Sequence, residues 1–264
     1  MTTAPTDVSP PGFHLTVDEA GQGRPALILH GGGGPLTVAG IGAHLSATMH
    51  TLIPTHPGWN GTERPAWLTG IDDLALMYLD ELSDRGLRDV LVIGSSIGGW
   101  IATEMAVRDR AGLISGLILI DAAGVTVEGE PIRDFFALDP RGVAEYAWHD
   151  AERYYTDPAT VPADQRDRQQ ANVASMRVVT GGRMDDPKLR RRLSRVQQQT
   201  LVLWGESDRL FTPAYGTAYA AAFPNSVFRT IAQAGHLPQL ERPAATFALI
   251  DDYLQAQTEQ EDLN

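Results

Sequence analysis

A serine between two glycines stands where a buried apolar run meets a helical pattern. Ser96 lies between Gly94 and Gly98, after the apolar residues 90–93 and before apolar residues at helical spacing. A G-x-S-x-G nucleophile elbow needs this context, because the glycines make room for a strained strand-to-helix turn and the helix N-terminus favours negative charge. Ser96 is the predicted nucleophile, and the backbone N–H of Ile97 is a predicted oxyanion donor. The alternatives are an incidental glycine-rich turn or a phosphate loop, although the G-x-G-x-x-G order and a P-loop lysine are absent.

A second glycine-rich loop follows the apolar residues 26–29. His30 is followed by four glycines, residues 31–34, and chain without side chains can approach a ligand closely and present N–H donors. An oxyanion hole needs a second N–H opposite the elbow, and this loop is where we expect it. We expect His30 to brace the loop, with Gly31 and Gly33 supporting it. A flexible turn is the alternative.

Two further strand ends carry the groups that would activate a serine. A serine hydroxyl needs an imidazole to take its proton, and the imidazole needs an acid to hold its tautomer. Asp208 lies just past the apolar residues 201–204, and His236 lies after residues 227–231. The chain order of nucleophile, acid and base matches that of one hydrolase fold.

These residues must be positioned by an alternation of strands and helices. Continuous apolar runs such as residues 90–93 are typical of strands buried on both faces, and residues 71–82 carry one apolar helical stripe. The alternation predicts a doubly wound, mostly parallel α/β sheet. It stops between about residues 124 and 196, where we expect a helical insertion, with helices near residues 141–155 and 165–179.

The chain resembles the α/β-hydrolase superfamily in four motifs: the His-Gly loop, the elbow, the strand-end Gly-x-x-Asp, and Ala-Gly-His followed by Glu241 and Pro243. The resemblance runs from about residue 13 to 254. It implies catalytic roles for Ser96, Asp208 and His236 and oxyanion donors at Gly32 and Ile97. It also implies a core at residues 13–123 and 197–256, a helical cap at 124–196 and loose termini at 1–12 and 257–264.

Other residues compete for these roles. Asp121 also ends an apolar run, and some members of the superfamily use that strand for the acid. His56 stands where the superfamily often has an Asp before its Pro-Gly turn. His149 in the insertion is either a substrate contact or a solvated side chain. No His and carboxylate spacing predicts a metal site.

The composition excludes several functions. The 264 residues include no cysteine, which excludes disulfide frameworks, thiolate metal sites and a cysteine nucleophile. The formal net charge of −12 disfavours nucleic acid and anionic membrane as partners. The sequence shows neither a signal peptide nor an apolar run of roughly 20 residues, so we expect a cytoplasmic protein.

The sequence therefore predicts a serine hydrolase that cleaves a carboxylic ester or lactone without a cofactor. Trp148, Tyr155 and Leu237 are predicted pocket residues, although the aromatic cluster of the insertion would equally serve to bury that layer. One alternative is carbon–carbon bond cleavage as in the meta-cleavage-product hydrolases, which share the glycine-rich loop but typically carry Trp where this chain has Leu237. Another is a ligand-binding protein of low turnover. Ser96 argues against the dehalogenases and epoxide hydrolases of the superfamily, which place Asp there.

Overall fold

Seven strands form the central sheet of the computed structural model, which describes residues 14–261. Two more strands form a separate short ladder. In chain order the strands are β1 (Val17–Ala20), β2 (Pro25–Leu29), β3 (His50–Pro54), β4 (Val90–Ser95), β5 (Ile114–Ile120), β6 (Gly124–Val125), β7 (Asp185–Asp186), β8 (Gln199–Gly205) and β9 (Ser226–Ile231).

The central sheet has the order β1-β3-β2-β4-β5-β8-β9. Strand β1 pairs antiparallel with β3, and every other pairing in this sheet is parallel. The predicted doubly wound, mostly parallel α/β sheet is thus confirmed. Strand β1 has no counterpart in the sequence analysis, because its mostly exposed residues form no apolar run.

Helices follow most of the strands. In chain order the α-helices are α1 (Ala39–Leu45), α2 (Ile71–Asp84), α3 (Ile97–Arg108), α4 (Pro140–Ala147), α5 (Ala151–Tyr154), α6 (Ala163–Val179), α7 (Pro213–Ala220), α8 (Pro238–Glu241) and α9 (Pro243–Glu261). Short 3-10 helices span Pro35–Thr37, Phe135–Ala137, Pro158–Thr160 and Arg190–Arg195. Among residues 14–261, no helix is both long and apolar enough to cross a bilayer.

The continuous apolar runs are explained by burial of both faces of the sheet. Successive side chains of a strand point to opposite faces. In β4, Val90 and Val92 pack in the core cluster that includes side chains of α2, α3 and α7, whereas Leu91 and Ile93 pack in the cluster that includes α1 and α9. All four side chains are almost fully buried, so neither face of β4 tolerates a polar residue.

The segment between β6 and β8 is mainly helical. Asp139 accepts a hydrogen bond from Gly142 N at 2.7 Å and caps α4, and Asp150 accepts one from Arg153 N at 3.1 Å and caps α5. The helix expected over residues 141–155 is therefore broken in two around Trp148. The ladder between β6 and β7 was not expected, because two-residue strands are too short to show a period of two.

The described part of the chain ends in α9. Residues 257–261, expected to be loose, continue this helix. Gln257 is buried, donates to the Tyr253 hydroxyl at 2.7 Å and accepts from Arg24 Nη1 at 3.1 Å, so it attaches the helix to the core. The loose terminus predicted for residues 1–12, and residues 262–264, lie outside the described residues.

Candidate active site

The carboxyl ends of β4, β5, β8 and β9 meet at one edge of the sheet, because these neighbouring strands are parallel. Ser96 follows β4, Asp208 lies in the loop after β8, and His236 lies in the loop after β9. Residues distant in the sequence are thereby brought to one place. This edge is where ligands bind in open α/β sheets.

The turn that carries Ser96 is strained. Ser96 has φ 57° and ψ −120°, which is an unusual backbone conformation for a residue other than glycine. The turn is held by hydrogen bonds from Ser96 N to Ile120 O at 2.9 Å and from Ala123 N to Ser96 O at 3.1 Å. A Cβ on Gly94 would lie 2.3 Å from Gly98 O, so the first glycine of the motif is sterically required.

Ser96, His236 and Asp208 form a continuous line of hydrogen bonds. The Ser96 hydroxyl donates to His236 Nε2 at 2.9 Å, and His236 Nδ1 donates to Asp208 Oδ2 at 2.8 Å. All three side chains are buried. This arrangement allows the imidazole to accept the serine proton while the carboxylate holds the ring in the required tautomer.

Asp208 is oriented by its own loop. Its Oδ1 accepts hydrogen bonds from Leu210 N at 2.8 Å and Phe211 N at 3.1 Å, which leaves Oδ2 to face His236. The Phe211 ring stacks on the imidazole with centroids 5.4 Å apart. Backbone donors and a stacked ring together restrict both side chains to one geometry.

The loop of His236 is anchored to the helical segment. His236 N donates to Ala147 O at 2.6 Å. The Glu241 carboxylate accepts from Gly235 N at 2.5 Å, from His149 N at 3.0 Å and from Asp150 N at 3.2 Å. Glu241 therefore joins the base loop to the start of α5. The sequence analysis names Glu241 only within a motif, and its spacing from His236 carries no signal of this role.

The glycine-rich loop lies directly against the elbow. A Cβ on Gly31 would lie 3.0 Å from Ser96 Cβ, and a Cβ on Gly32 would lie 2.7 Å from Met176 Sδ. Trp59 Nε1 donates to Gly32 O at 3.0 Å and fixes that peptide. Ile97 is the first residue of α3, where the backbone N–H has no carbonyl partner within the helix.

The sequence from β2 to α9 matches a known family. The Alpha/beta hydrolase family model covers residues 26–249 of this chain. The chain belongs to the α/β hydrolase family.

Relatives of this α/β hydrolase are named as two kinds of enzyme. A 2-hydroxymuconate semialdehyde hydrolase of Pseudomonas putida is 25% identical, covering 92% of this chain and 91% of the relative. A pimeloyl-(acyl-carrier protein) methyl ester esterase of Aromatoleum aromaticum is 29% identical, covering 87% of this chain and 98% of the relative. The solved structure of a thermophilic esterase from Thermogutta terrifontis has a TM-score of 0.75 and 21% identity, covers 92% of this chain and 93% of that one, and supports the fold.

A cavity of about 400 Å³ opens at Ser96 and His236 of this hydrolase. Trp148 and Leu237 line it, as the sequence analysis expects, but Tyr155 does not. The centroid of the Tyr155 ring instead lies 5.1 Å from the Arg141 guanidinium. The lining of the cavity is mostly apolar and includes Phe135, Val143, Trp148, Val173, Met176, Met184, Leu210, Phe211, Leu237 and Leu240.

Other candidates of the sequence analysis lie elsewhere. His149 does not line this cavity, and its Nδ1 hydrogen-bonds with Ser207 Oγ at 2.7 Å. Asp121, the alternative acid, is buried behind Asp208, and Asp208 is the carboxylate that bonds to His236. The ligand atoms of Asp121, Asp208 and His236 lie within 4.8 Å of one another. Because both ring nitrogens of His236 have protein partners, the imidazole offers no free nitrogen to a metal.

A buried pair of histidines supports the glycine-rich loop. His30 Nδ1 donates to Gly31 O at 2.7 Å, and its Nε2 accepts from His56 N at 3.0 Å. His56 Nε2 donates to His30 O at 2.9 Å, and its Nδ1 accepts from the Tyr78 hydroxyl at 2.6 Å. These bonds satisfy both imidazoles in their neutral form. His30 thus lies where it can brace the loop, as expected, whereas its contact with His56 and the support from Tyr78 were not predicted, because no local pattern links them to His30.

The histidine pair is expected to make this hydrolase less stable in acid. Burial lowers the pKa of His56 from 6.5 to about 4 and, with His56 beside it, lowers the pKa of His30 well below 6.5. Below pH 6.5 these histidines bind protons in the unfolded chain but not in the folded chain. Their contribution to the free energy of unfolding is therefore fully present above pH 6.5 and is lost as the pH falls toward their pKa values in the folded chain. We expect urea unfolding to show a loss of about 2 kcal/mol between pH 7 and pH 5 from His56, with a further loss in the same direction from His30.

Two variants separate the buried pair from surface groups. His56→Gln should reduce the loss of unfolding free energy between pH 7 and pH 5, whatever its effect at pH 7. His44→Gln, at the surface beside Asp251, should leave that loss in place. An unfolding free energy of His56→Gln as pH-dependent as that of the wild type would contradict the assignment.

Proposed function

We propose that the protein is a serine hydrolase that cleaves a carboxylic ester or lactone by acyl transfer. The observation that carries the proposal is the line of hydrogen bonds from Ser96 through His236 to Asp208, at 2.9 Å and 2.8 Å. The line ends in an apolar cavity that suits an acyl chain or an alcohol group. The helical segment at residues 124–196 acts as a cap that supplies much of the cavity wall.

The geometry suits a two-step reaction. Ser96 Oγ attacks the carbonyl carbon while His236 Nε2 takes the hydroxyl proton. The N–H groups of Gly32 and Ile97 stabilise the oxyanion. The intermediate then expels the alkoxide, which receives the proton from His236 Nε2, and an ester remains on Ser96. Water, deprotonated by the same imidazole, releases the acid and restores the serine.

The comparisons support this proposal without distinguishing the bond that is cleaved. The Aromatoleum relative is named as an ester hydrolase, whereas the Pseudomonas relative is named as a semialdehyde hydrolase. Carbon–carbon bond hydrolysis is therefore the second candidate. Leu237, which lines the cavity after His236, is a departure from the Trp typical of those enzymes.

Covalent labelling with a fluorophosphonate tests the nucleophile without knowledge of the substrate. An activated serine forms a phosphonyl ester, and peptide mass mapping should place it on Ser96. Ser95 is a matched neighbour, fully buried and contacted by Gln239 Nε2 at 3.1 Å. Ser95→Ala should keep the label and Ser96→Ala should lose it. A folded wild-type protein that takes no label would favour a binding protein of low turnover.

A substrate panel distinguishes the enzyme classes. Wild type and Ser96→Ala should be assayed with p-nitrophenyl acetate, with a simple lactone and with a dienoic diketo acid. Turnover of the ester or lactone supports the first candidate. Turnover confined to the diketo acid supports carbon–carbon bond hydrolysis instead.

A further inference from the structure

Asp121 is an anomaly beside the candidate active site. It follows β5, is completely buried, and has a φ of 43°, in the left-handed region that few residues other than glycine adopt. Its Oδ1 accepts a hydrogen bond from Gly205 N at 2.9 Å. Its Oδ2 receives no hydrogen bond from any group in residues 14–261. A buried polar atom without a partner costs free energy, so its presence calls for an explanation.

The groups around Asp121 disfavour a second negative charge. One side-chain oxygen or nitrogen from each of Asp121, Asp208 and His236 lies within 4.8 Å of the other two. The negative charge of Glu241 in α8 also disfavours ionisation of Asp121. Burial first, and then the charge of Asp208, raises the pKa of Asp121 well above its usual value. When two carboxyl groups share a buried site, the state in which one of them keeps its proton is favoured over the state in which both are charged.

We propose that Asp121 is a positioning residue that keeps its proton at neutral pH and donates a hydrogen bond from Oδ2 to the Asp208 carboxylate. A protonated carboxyl group has one O–H donor, which gives Oδ2 the partner that no N–H group supplies. Asp208 then accepts from Leu210 N, Phe211 N, His236 Nδ1 and Asp121. A hydrogen-bond donor at Asp208 holds the rotamer of its carboxylate.

The consequence for activity rests on the proposed function. If the Asp121 donor is removed, the Asp208 carboxylate loses one hydrogen bond, and its attraction to the protonated imidazole of His236 becomes stronger. A protonated imidazole cannot accept the serine proton. The acidic limb of kcat/KM should therefore move to higher pH, by on the order of half a pH unit.

Infrared spectroscopy tests the proton without any turnover. Wild type at pH 7 should show the C=O stretch of a protonated carboxyl group, and Asp121→Asn should lose that band. Asn is suited to the position because Asn and Asp tolerate the left-handed conformation and its amide N–H can donate to Asp208. Asp134→Asn, at an exposed carboxylate, is the control and should keep the band. A wild-type spectrum without the band would overturn the proposal.

The pH profile of ester hydrolysis supplies the second readout. In Asp121→Asn the acidic limb of kcat/KM should lie at the same pH as in the wild type, whereas in Asp121→Ala it should lie at higher pH. A merely structural role would lower stability and leave the limb of both variants unmoved, and that result would overturn the proposal. If Asp121→Ala does not fold, the infrared band decides. If neither an ester nor a lactone is turned over, the proposed function fails while the infrared result still decides the protonation of Asp121.

Discussion

Ser96→Ala is expected to lose ester hydrolysis by about 1,000-fold or more, measured as kcat with p-nitrophenyl acetate. The Ser96 hydroxyl donates a hydrogen bond to His236 Nε2 at 2.9 Å, and Ser96 lines the cavity. Alanine removes the attacking oxygen, so only the oxyanion donors and binding remain to accelerate the reaction. Stability should change little, because the substitution removes one oxygen and leaves the apolar contacts of the turn.

Ser95→Ala is the control for this loss. Ser95 precedes the nucleophile in the same turn, and its hydroxyl faces Gln239 rather than His236. The variant should keep kcat within a few-fold of the wild type, because no step of the proposed reaction uses this hydroxyl. Wild-type turnover in Ser96→Ala would show that another residue is the nucleophile.

Gly98→Ala is expected to prevent normal folding or to lower the free energy of unfolding by about 3 kcal/mol or more. A Cβ at this position would lie 2.2 Å from Leu29 O and 2.6 Å from His30 O. Both atoms are backbone atoms, at the end of central strand β2 and at the start of the glycine-rich loop. They cannot rotate away as a side chain would, so α3 must move. Urea unfolding, or the yield of soluble protein, measures the effect.

Gly40→Ala is the matched control, since Gly40 is also a glycine within a helix. A Cβ there would meet the Phe247 ring at 3.6 Å, an ordinary contact. Alanine should be neutral or slightly stabilising, because it restricts the unfolded chain more than glycine does and Gly40 lies in the first turn of α1. If the two variants unfold at the same urea concentration, the close approach of α3 to β2 is not as described.

Much of the fold follows from local patterns. Each apolar run of the sequence falls within a strand that pairs in parallel in the central sheet. In a central strand such as β4 both faces are buried, and consecutive side chains are therefore apolar. The stripe over residues 71–82 likewise falls within α2. Strand β1 was not predicted, because its mostly exposed residues form no apolar pattern and only its pairing with β3 defines it as a strand.

The helical segment was harder to predict. The run from α4 to α5 has enough helix-forming residues for one helix, yet the chain breaks at Trp148. There Ala147 O accepts from His236 N and the Glu241 carboxylate accepts from His149 N. His236 and Glu241 follow β9 and are far along the chain from residues 147–149, so no local window of sequence contains both partners.

Local residue patterns are sufficient to predict the available chemistry, namely a serine in a strand-to-helix turn with an acid and a histidine at later strand ends. Parallel strands bring their carboxyl ends to one edge, so the strand pattern was enough to predict that these groups meet. Three features become visible only in the folded chain. Asp208 rather than Asp121 contacts His236, His56 and Tyr78 support His30, and Tyr155 lies outside the cavity. Those outcomes depend on side-chain contacts between segments far apart in the chain, and a local pattern carries no information about them.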